Sequence, residues 1–296
     1  MSPPEDKPLV ELLEHPTLDS PVMILGLEGW IDAGFAADGA IEHLTRTLDT
    51  ITVATFDTDA LLDYRARRPV MNLVEGVNRE LRWAEVELRA ATDITGQDVL
   101  LLVGAEPDHL WHAFADSVVA LALDFGCRMV VGLGAYPAPL PHTRPSQLAA
   151  TCTTPQQADR FSFVRGTLDV PAGVQAVIEE RAASHGMEAL GIWAQVPHYA
   201  AAMPYPAASV RLLEGLTEVA GLAFELGPLR TAAESTHHRL DELVSNSAEH
   251  GELVRQLENH VDEAASAEAE IPSADELAAE IQRFLRDQGS GGPAGA

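Results

Sequence analysis

Residues 24–36 of the chain read ILGLEGWIDAGFA, and this stretch decides the fold class. The short apolar run from Pro21 to Leu27 predicts a buried strand. The glycines that follow indicate a tight turn, and the residues from Gly34 to Leu48 then carry apolar side chains at helical spacing. A segment rich in β-branched residues, Ile51–Phe56, predicts the next strand, so the chain opens as strand, helix and strand.

The glycines of this stretch raise the question of a phosphate site, because Gly29 and Gly34 have the G-x-x-x-x-G spacing of a phosphate loop. Such a loop needs a lysine and then a hydroxyl after its last glycine, but Phe35 and Ala36 stand there. The glycines also lack the spacing of a dinucleotide fingerprint. Backbone N–H groups at the helix start can hold an anion, although Asp32 opposes one by charge. The sequence therefore favours a closely packed turn with positive φ.

Strands and helices continue to alternate as far as residue 205. The predicted strands include Asp98–Gly104, Arg128–Leu133 and Ala189–Ala194, and the predicted helices are Asp108–Phe125 and Val174–Ser184. This alternation is typical of a layered α/β core with a mostly central β-sheet, and we assign residues 1–205 to that domain.

Two segments of the predicted core are less regular. The pattern predicts strands over residues 70–77 and 80–90, joined at Asn78-Arg79, with a one-residue register shift in the second. The segment from Gly134 to Pro145 is rich in proline, and we expect it to be irregular.

The pattern becomes purely helical after Pro206. Apolar residues recur about every 3.5 positions from Leu229 to Val261, which predicts an imperfect heptad seam with a break at Gly251. A last helix is predicted over Ala274–Arg286. We therefore assign residues 206–288 to an all-helical C-terminal extension and residues 289–296, GSGGPAGA, to a disordered tail.

Composition excludes several classes of function. The formal net charge is −26, from 45 acidic and 19 basic residues, so the surface repels nucleic acids and anionic membranes. The two cysteines, Cys127 and Cys152, suggest neither a zinc site nor a disulfide framework. The N-terminal residues lack the pattern of a secretion signal, and no apolar run is long enough to span a bilayer. These features predict a soluble, cytoplasmic protein.

Arginines cluster in the segment DYRARRP, at Arg65, Arg67 and Arg68. Guanidinium groups suit carboxylates and phosphates, so the cluster is a candidate anion pocket. A subunit contact and pairing with the protein's own acidic surface are the alternatives, and they are the more common reasons for such clusters.

A second candidate is the segment EPDHLWH, where Glu106, His109 and His112 carry groups that bind zinc. Positions three apart drift around a helix, so the three side chains reach one ion poorly. The simpler interpretation makes Asp108 a helix N-cap and Trp111 a packing anchor. We therefore expect neither a metal site nor a cofactor.

The proline-rich loop ends in His142, Thr143 and Arg144, after a predicted central strand. Ligands usually bind at loops that follow the carboxyl ends of α/β strands, so these residues are the preferred lining of any pocket. The loop Val196–Tyr199 is similar, whereas His237-His238 is predicted to face solvent. No G-x-S-x-G elbow or other catalytic constellation is present, so we name no catalytic residue. The candidate ligand-binding set is Gly29, Asp32, Gly34, Arg65, Arg67, Arg68, His142, Thr143 and Arg144.

Five ordered motifs together resemble the proteasome assembly chaperone superfamily, and more narrowly its actinobacterial branch of uncharacterised proteins. They are LEGWIDAG at 27–34, DYRARRP at 63–69, GAEPDHLW at 104–111, GLGAYPAPLPHTRP at 132–145 and VPHYAAAMPYPAA at 196–208. The resemblance covers roughly residues 8–288. It implies an α/β fold related to the nucleoside-phosphorylase architecture, a helical C-terminal extension and self-association as a trimer.

The resemblance also bears on partners. Archaeal relatives bind proteasome α-rings through a C-terminal tail with a hydrophobic residue, a tyrosine and one final residue. This sequence ends Pro293-Ala294-Gly295-Ala296, with glycine in the penultimate place. The favoured hypothesis is a non-enzymatic, homo-oligomeric binding or assembly protein whose partners are proteasome subunits or another protein. The alternative is an enzyme or sensor for a small anionic, nucleoside-like metabolite.

Overall fold

The computed structural model describes residues 8–29, 31–167 and 169–269, with side chains described as far as residue 264. The predicted helix Ala274–Arg286 and the predicted disordered tail, 289–296, lie outside the described residues. Contacts divide the chain into two units, Met1–Glu242 and Leu243–Ala296. The domain boundary at residue 205 stays a prediction.

The described residues form ten strands and eight helices. The strands are β1 (Val10–Leu12), β2 (Val22–Glu28), β3 (Ile51–Phe56), β4 (Val70–Val74), β5 (Val77–Arg82), β6 (Val86–Thr92), β7 (Asp98–Ala105), β8 (Met129–Ala138), β9 (Leu148–Cys152) and β10 (Glu188–Pro197). The helices are α1 (Ala36–Thr47), α2 (Thr58–Leu61), α3 (Trp111–Asp124), α4 (Pro155–Ala158), α5 (Val174–Ser184), α6 (Pro206–Ala220), α7 (Gly227–Ser245) and α8 (Ala248–Ala269). None of the described helices is long and apolar enough to cross a membrane.

Eight strands form one mixed sheet in the order β1-β3-β6-β7-β2-β8-β10-β9. The four central strands, β7, β2, β8 and β10, run parallel, while the strands on both sides of them pair antiparallel. In the register of the parallel part, Ile24 lies opposite Leu101 on one side and Val131 on the other. This confirms the predicted α/β fold with a large central sheet. β4 and β5 form a separate two-stranded hairpin.

Helices cover both faces of the sheet. Since the side chains of a strand alternate between its two faces, neighbouring residues of one strand pack against different helices. Ile24 belongs to a buried cluster with residues of α1 and α6, such as Leu44 and Leu212. Its neighbour Leu25 belongs to the cluster on the other face, with Phe114 of α3 and Ile178 of α5. The central strands are therefore buried on both sides, which explains their continuous apolar sequence.

The turn of the hairpin lies three residues before the predicted one. Glu75 and Gly76 both have positive φ, +52° and +80°, which suits a tight two-residue turn between β4 and β5. The predicted strand 80–90 was wrong as one element, because the chain leaves the hairpin after Arg82 and joins the main sheet at Val86. This break explains the register shift in the sequence.

The segment from Gly134 to Pro145 was predicted to be irregular, but the start of this prediction is too early. β8 continues to Ala138 and contains Pro137, which lies opposite Val196 of β10. On the side of β8 that faces β2, the last pairing is the bridge between Ala135 and Asp32. Pro137 lies beyond this bridge, where that side of β8 has no strand partner among the described residues. A proline is tolerated at such an edge because it has no N–H to donate.

The predicted helix break at Gly251 was also wrong. α8 runs through Gly251, since a glycine costs a long helix only about 1 kcal/mol. The interruption lies instead between α7 and α8, at Asn246-Ser247. There the Ser247 Oγ accepts a hydrogen bond from the backbone N–H of His250 at 3.3 Å, which favours a new helix start.

Candidate functional site

The glycine-rich turn after β2 is built by close packing, as predicted. Gly29 and Gly34 have φ values of +146° and +66°, which favour glycine. A Cβ at Gly34 would lie 2.7 Å from the Cβ of Tyr205. The Gly34 N–H donates to the Ala201 carbonyl at 2.8 Å, and the Gly34 carbonyl accepts from the Tyr205 N–H at the same distance. The turn therefore anchors the segment that precedes α6.

The N–H groups at the start of α1 bind a carboxylate of the protein itself, that of Asp32. Asp32 Oδ1 accepts from the Ala37 N–H at 2.8 Å, and its Oδ2 accepts from the Asp38 N–H at 2.9 Å. Burial raises the pKa of Asp32, while these backbone hydrogen bonds oppose the rise. A phosphate at this position would have to displace Asp32, so the geometry supports the packed-turn interpretation.

Arg67 joins the arginine cluster to the end of β7. Its Nε lies 3.3 Å from Asp108 Oδ2, and its Nη2 lies 3.4 Å from Asp108 Oδ1. Asp108 also accepts from the Asp63 N–H at 2.8 Å. Burial alone would raise the pKa of Asp108, but these bonds lower it below its usual range. A Cβ at Gly29 would lie 3.3 Å from the Arg67 guanidinium, so these two predicted residues are neighbours.

The predicted capping role of Asp108 was wrong. α3 begins at Trp111, and the residue before it, Leu110, has a left-handed conformation and no side-chain cap. Asp108 instead holds the arginine-rich loop. Trp111 does pack against the core, and its Nε1 donates to the Pro107 carbonyl at 2.6 Å.

Arg65 and Arg68 differ from Arg67 because both are exposed. They precede β4 in the chain, so the arginine cluster consists of one ion pair within the protein, Arg67 with Asp108, and two surface cations. The pairing of Arg67 matches the alternative of pairing with the protein's own acidic groups, which the sequence favoured over the candidate anion pocket. The segment continues into the hairpin.

Glu106 supports the sheet and α5. Its Oε1 accepts from the backbone N–H of Val174, the first residue of α5, at 2.7 Å. Its own N–H donates to the Glu28 carbonyl at 2.7 Å. His109 and His112 are exposed. Within the described part of the chain, no three His, Cys, Asp or Glu side chains are placed to share a metal ion.

His142 is the centre of a buried polar group. Its side chain is 1% exposed. Its backbone N–H donates to the Tyr199 hydroxyl at 2.7 Å, and its Nδ1 lies at the same distance from that oxygen. Its Nε2 lies 3.3 Å from Asp241 Oδ1. Because a carboxylate only accepts, we assign the ring hydrogen to Nε2 and let the Tyr199 hydroxyl donate to Nδ1.

A cavity of about 380 Å³ adjoins this group. Its lining comprises His142, Thr143, Arg144, Pro145, Ser146, Tyr205, Ala207, Ala233, Glu234, His237 and His238. Ser146 Oγ is buried and has no hydrogen-bond partner among the described residues. The predicted solvent-facing pair His237-His238 remains accessible, since the His237 side chain is 43% exposed and His238 is exposed, but the His237 ring also lies 5.3 Å from that of His142.

A second cavity, of about 420 Å³, is acidic. Its polar lining includes Glu28, Asp32, Asp38, Glu42, Thr45, Glu85 and Arg89. Burial raises the pKa of Glu28, with the Asp38 carboxylate adding to the rise and Arg67 opposing it. Burial and the Glu42 carboxylate likewise raise the pKa of Asp38. This cleft repels anions.

The structure does not bring the candidate ligand-binding set into one pocket. His142, Thr143 and Arg144 line the first cavity, and Asp32 lines the acidic cleft. Neither of these two linings includes Arg65, Arg67 or Arg68. Gly34 touches the first cavity only through Tyr205. Sequence reasoning missed Asp241 and Ser146 as parts of this region, and the carboxylate is 99 positions from His142 in the chain.

These features define an α/β protein whose polar groups at the strand ends mainly hold its own backbone. The model of the PAC2 family matches residues 26–244, and the chain belongs to that family. No curated protein is significantly similar to it.

Solved structures agree with this assignment. A Mycobacterium tuberculosis protein of unknown function is 37% identical, with a TM-score of 0.83, over 90% of this chain and 92% of that one. A proteasome-assembly chaperone homologue from the same organism is 32% identical, with a TM-score of 0.73, over 79% of this chain and 99% of that one. An archaeal proteasome activator from Pyrococcus furiosus is 16% identical, with a TM-score of 0.62, over 79% of this chain and 97% of that one, and shows the shared fold.

Proposed function

We propose that the protein is a non-enzymatic, chaperone-like assembly protein that binds proteasome subunits and acts in the cytoplasm as a homo-oligomer, with a trimer favoured. The observation that carries this proposal is the family match over residues 26–244. The 32% identity to the mycobacterial proteasome-assembly chaperone homologue supports the assembly role. The nucleoside-phosphorylase-like architecture and the helical C-terminal extension, both implied by the sequence resemblance, are parts of the same proposal.

The geometry at the strand ends supports a role without catalysis. Asp32 caps α1, Glu106 caps α5, and Asp108 holds Arg67 and the Asp63 N–H. Each of these carboxylates thus accepts a hydrogen bond from the protein's own framework. A general acid or base instead needs an oxygen directed at a substrate.

A tagged pull-down from a native lysate, followed by mass spectrometry, tests the proposal. We expect the full chain to retain proteasome α-subunits above the level of a tag-only control. Salt washes distinguish specific capture from capture by net charge, because exposed charges are screened at high ionic strength. Absence of proteasome subunits from the retained proteins would contradict the proposal.

A second candidate function is the binding of a small anionic, nucleoside-like metabolite. The cavity beside His142 favours it, because the Ser146 hydroxyl is buried there without a partner among the described residues. Such a group costs free energy unless a ligand or water satisfies it.

Thermal unfolding in the presence of phosphate, nucleosides or nucleotides tests this candidate. A ligand at ~100 times its dissociation constant adds about 2.7 kcal/mol to the unfolding free energy. Ser146→Ala should reduce the shift if the ligand uses the hydroxyl. The absence of a shift with all three classes would count against this candidate.

A further inference from the structure

The hairpin of β4 and β5 carries a group of exposed large apolar side chains. Every residue of both strands is exposed. Seven large apolar side chains of the hairpin and its base are between 44% and 57% exposed: Val70, Met71, Leu73, Val74, Val77, Leu81 and Trp83. Large exposed apolar areas on soluble proteins mark interaction sites.

The architecture of the hairpin points the same way. A two-stranded hairpin is marginally stable alone in water, and these strands are not part of the eight-stranded sheet. At its base the Trp83 ring meets the Tyr64 ring edge-on, with centroids 4.7 Å apart. The base is thus held to the body, while the apolar side chains from Val70 to Leu81 remain available to a partner.

The charge of the segment identifies the partner. Residues 65–83 contain five arginines and two glutamates, a formal charge of +3, in a chain whose net charge is −26. Arg65, Arg68, Arg79 and Arg82 are all exposed. A cationic, apolar surface fits an acidic one, and the rest of this chain is strongly acidic.

We propose that the hairpin packs against the acidic body of a second copy of this chain. Pairing of two hairpins would bring like-charged arginines together, whereas packing of the hairpin on the body brings opposite charges together. Such a contact is heterologous, and a heterologous contact closes into a ring when its rotation is a whole fraction of a turn, as in the favoured trimer. The inference rests on the self-association contained in the proposed function and names its surface.

The first test measures oligomeric state with the full-length protein. Size-exclusion chromatography with light scattering, over a concentration series, compares wild type with Leu73→Glu/Leu81→Glu. We expect wild type to associate and the variant to dissociate, with a dissociation constant raised about 30-fold or more. Ile94→Glu is the matched control, because Ile94 is an apolar residue outside the hairpin that is even more exposed than Leu73 and Leu81, and it should leave association unchanged. Circular dichroism and thermal unfolding confirm that each variant is folded.

A charge reversal separates the two arrangements. Arg79→Glu/Arg82→Glu should weaken association if the hairpin meets the acidic body, whereas Arg46→Glu on α1 should not. Unchanged or tighter association in the hairpin charge variant would overturn the proposal in favour of hairpin-to-hairpin pairing. A monomeric wild type at about 100 μM, or an unchanged oligomer in Leu73→Glu/Leu81→Glu, would also overturn it. Since the readout is oligomer size alone, failed binding of proteasome subunits leaves this inference standing.

Discussion

The Oδ1 atom of Asp32 lies 2.8 Å from the backbone nitrogen of Ala37, where a phosphate loop would hold its anion. The glycines on either side of Asp32 have positive φ values, and the Asp32 carboxylate supplies the negative charge that meets the N–H groups at the start of α1. The turn is therefore complete without a ligand. This explains how a sequence with nucleotide-site spacing belongs to an assembly-chaperone family.

Asp32→Ala should lower the unfolding free energy by about 1 kcal/mol, because two N–H groups at the start of α1 lose their acceptor. Urea unfolding measures this loss. Asp49→Ala is the matched control, since Asp49 is exposed beyond the end of α1. A gain of phosphate affinity in Asp32→Ala, with no loss of stability, would show that the carboxylate blocks a site instead of supporting the helix.

Gly34→Ala should destabilise the protein through both strain and overlap. A residue with a side chain pays about 1–2 kcal/mol in the left-handed region, and the added Cβ also meets Tyr205 at 2.7 Å. Gly126→Ala isolates the strain, because Gly126 has nearly the same φ, +69°, with open space around it. We expect the larger loss for Gly34→Ala in chemical unfolding. Equal losses of unfolding free energy in the two variants would show that the overlap with Tyr205 adds no cost.

Glu179 should make stability fall as pH rises. Burial raises its pKa to about 7, although hydrogen bonds from Gln175 and Thr151 oppose the rise. Between an unfolded pKa near 4.5 and the folded value, the folded state holds a proton that the unfolded state has lost. The stability present below that window is therefore lost as pH rises through it, on the order of 3 kcal/mol.

Glu179→Gln tests this dependence, since the amide keeps the size of the side chain and carries no proton to lose. Unfolding free energies at pH 5 and pH 8 should differ less in the variant than in wild type, apart from other titrating groups. Glu180→Gln, one residue further and exposed, should keep the wild-type slope. An identical slope in both variants would contradict the raised pKa of Glu179.

Tyr199→Phe should lower the unfolding free energy of the protein by about 1–3 kcal/mol. The substitution removes the hydroxyl that lies within hydrogen-bond distance of the backbone nitrogen and Nδ1 of His142. Tyr64→Phe is the comparison, since its hydroxyl bonds to Thr58 and Asp59 near the surface, where water replaces the lost bonds. Thermal unfolding measures the loss of stability in both variants. A smaller loss for Tyr199→Phe than for Tyr64→Phe would contradict the prediction.

The sequence predicted the central elements well, because buried parallel strands carry continuous apolar runs. Ile51–Phe56 and Val174–Ser184 have the predicted bounds. β9 was missed because Leu148–Cys152 is only partly buried and lies at the edge of the sheet, so its apolar pattern is weak. The hairpin turn was misplaced because exposed apolar residues on both strands give no inside-outside alternation.

The candidate site was harder to predict than the fold. His142 was named from its place in a loop, but its contact with Asp241 depends on how α7 packs, which no local pattern reports. Arg67 was named as part of a candidate anion pocket, with pairing to an acidic group as the favoured alternative, but its partner Asp108 was interpreted as a helix cap. Local spacing indicates the type of side chain at a strand end, whereas tertiary packing decides what it contacts.

The most direct test of the assembly role is reconstitution with purified proteasome α- and β-subunits from the same organism. Native mass spectrometry follows the formation of rings and half-proteasomes with and without the full-length protein, at equal total protein. We predict a complex between the protein and α-subunits, together with faster appearance of assembled rings. Unchanged assembly kinetics with no such complex would contradict the account.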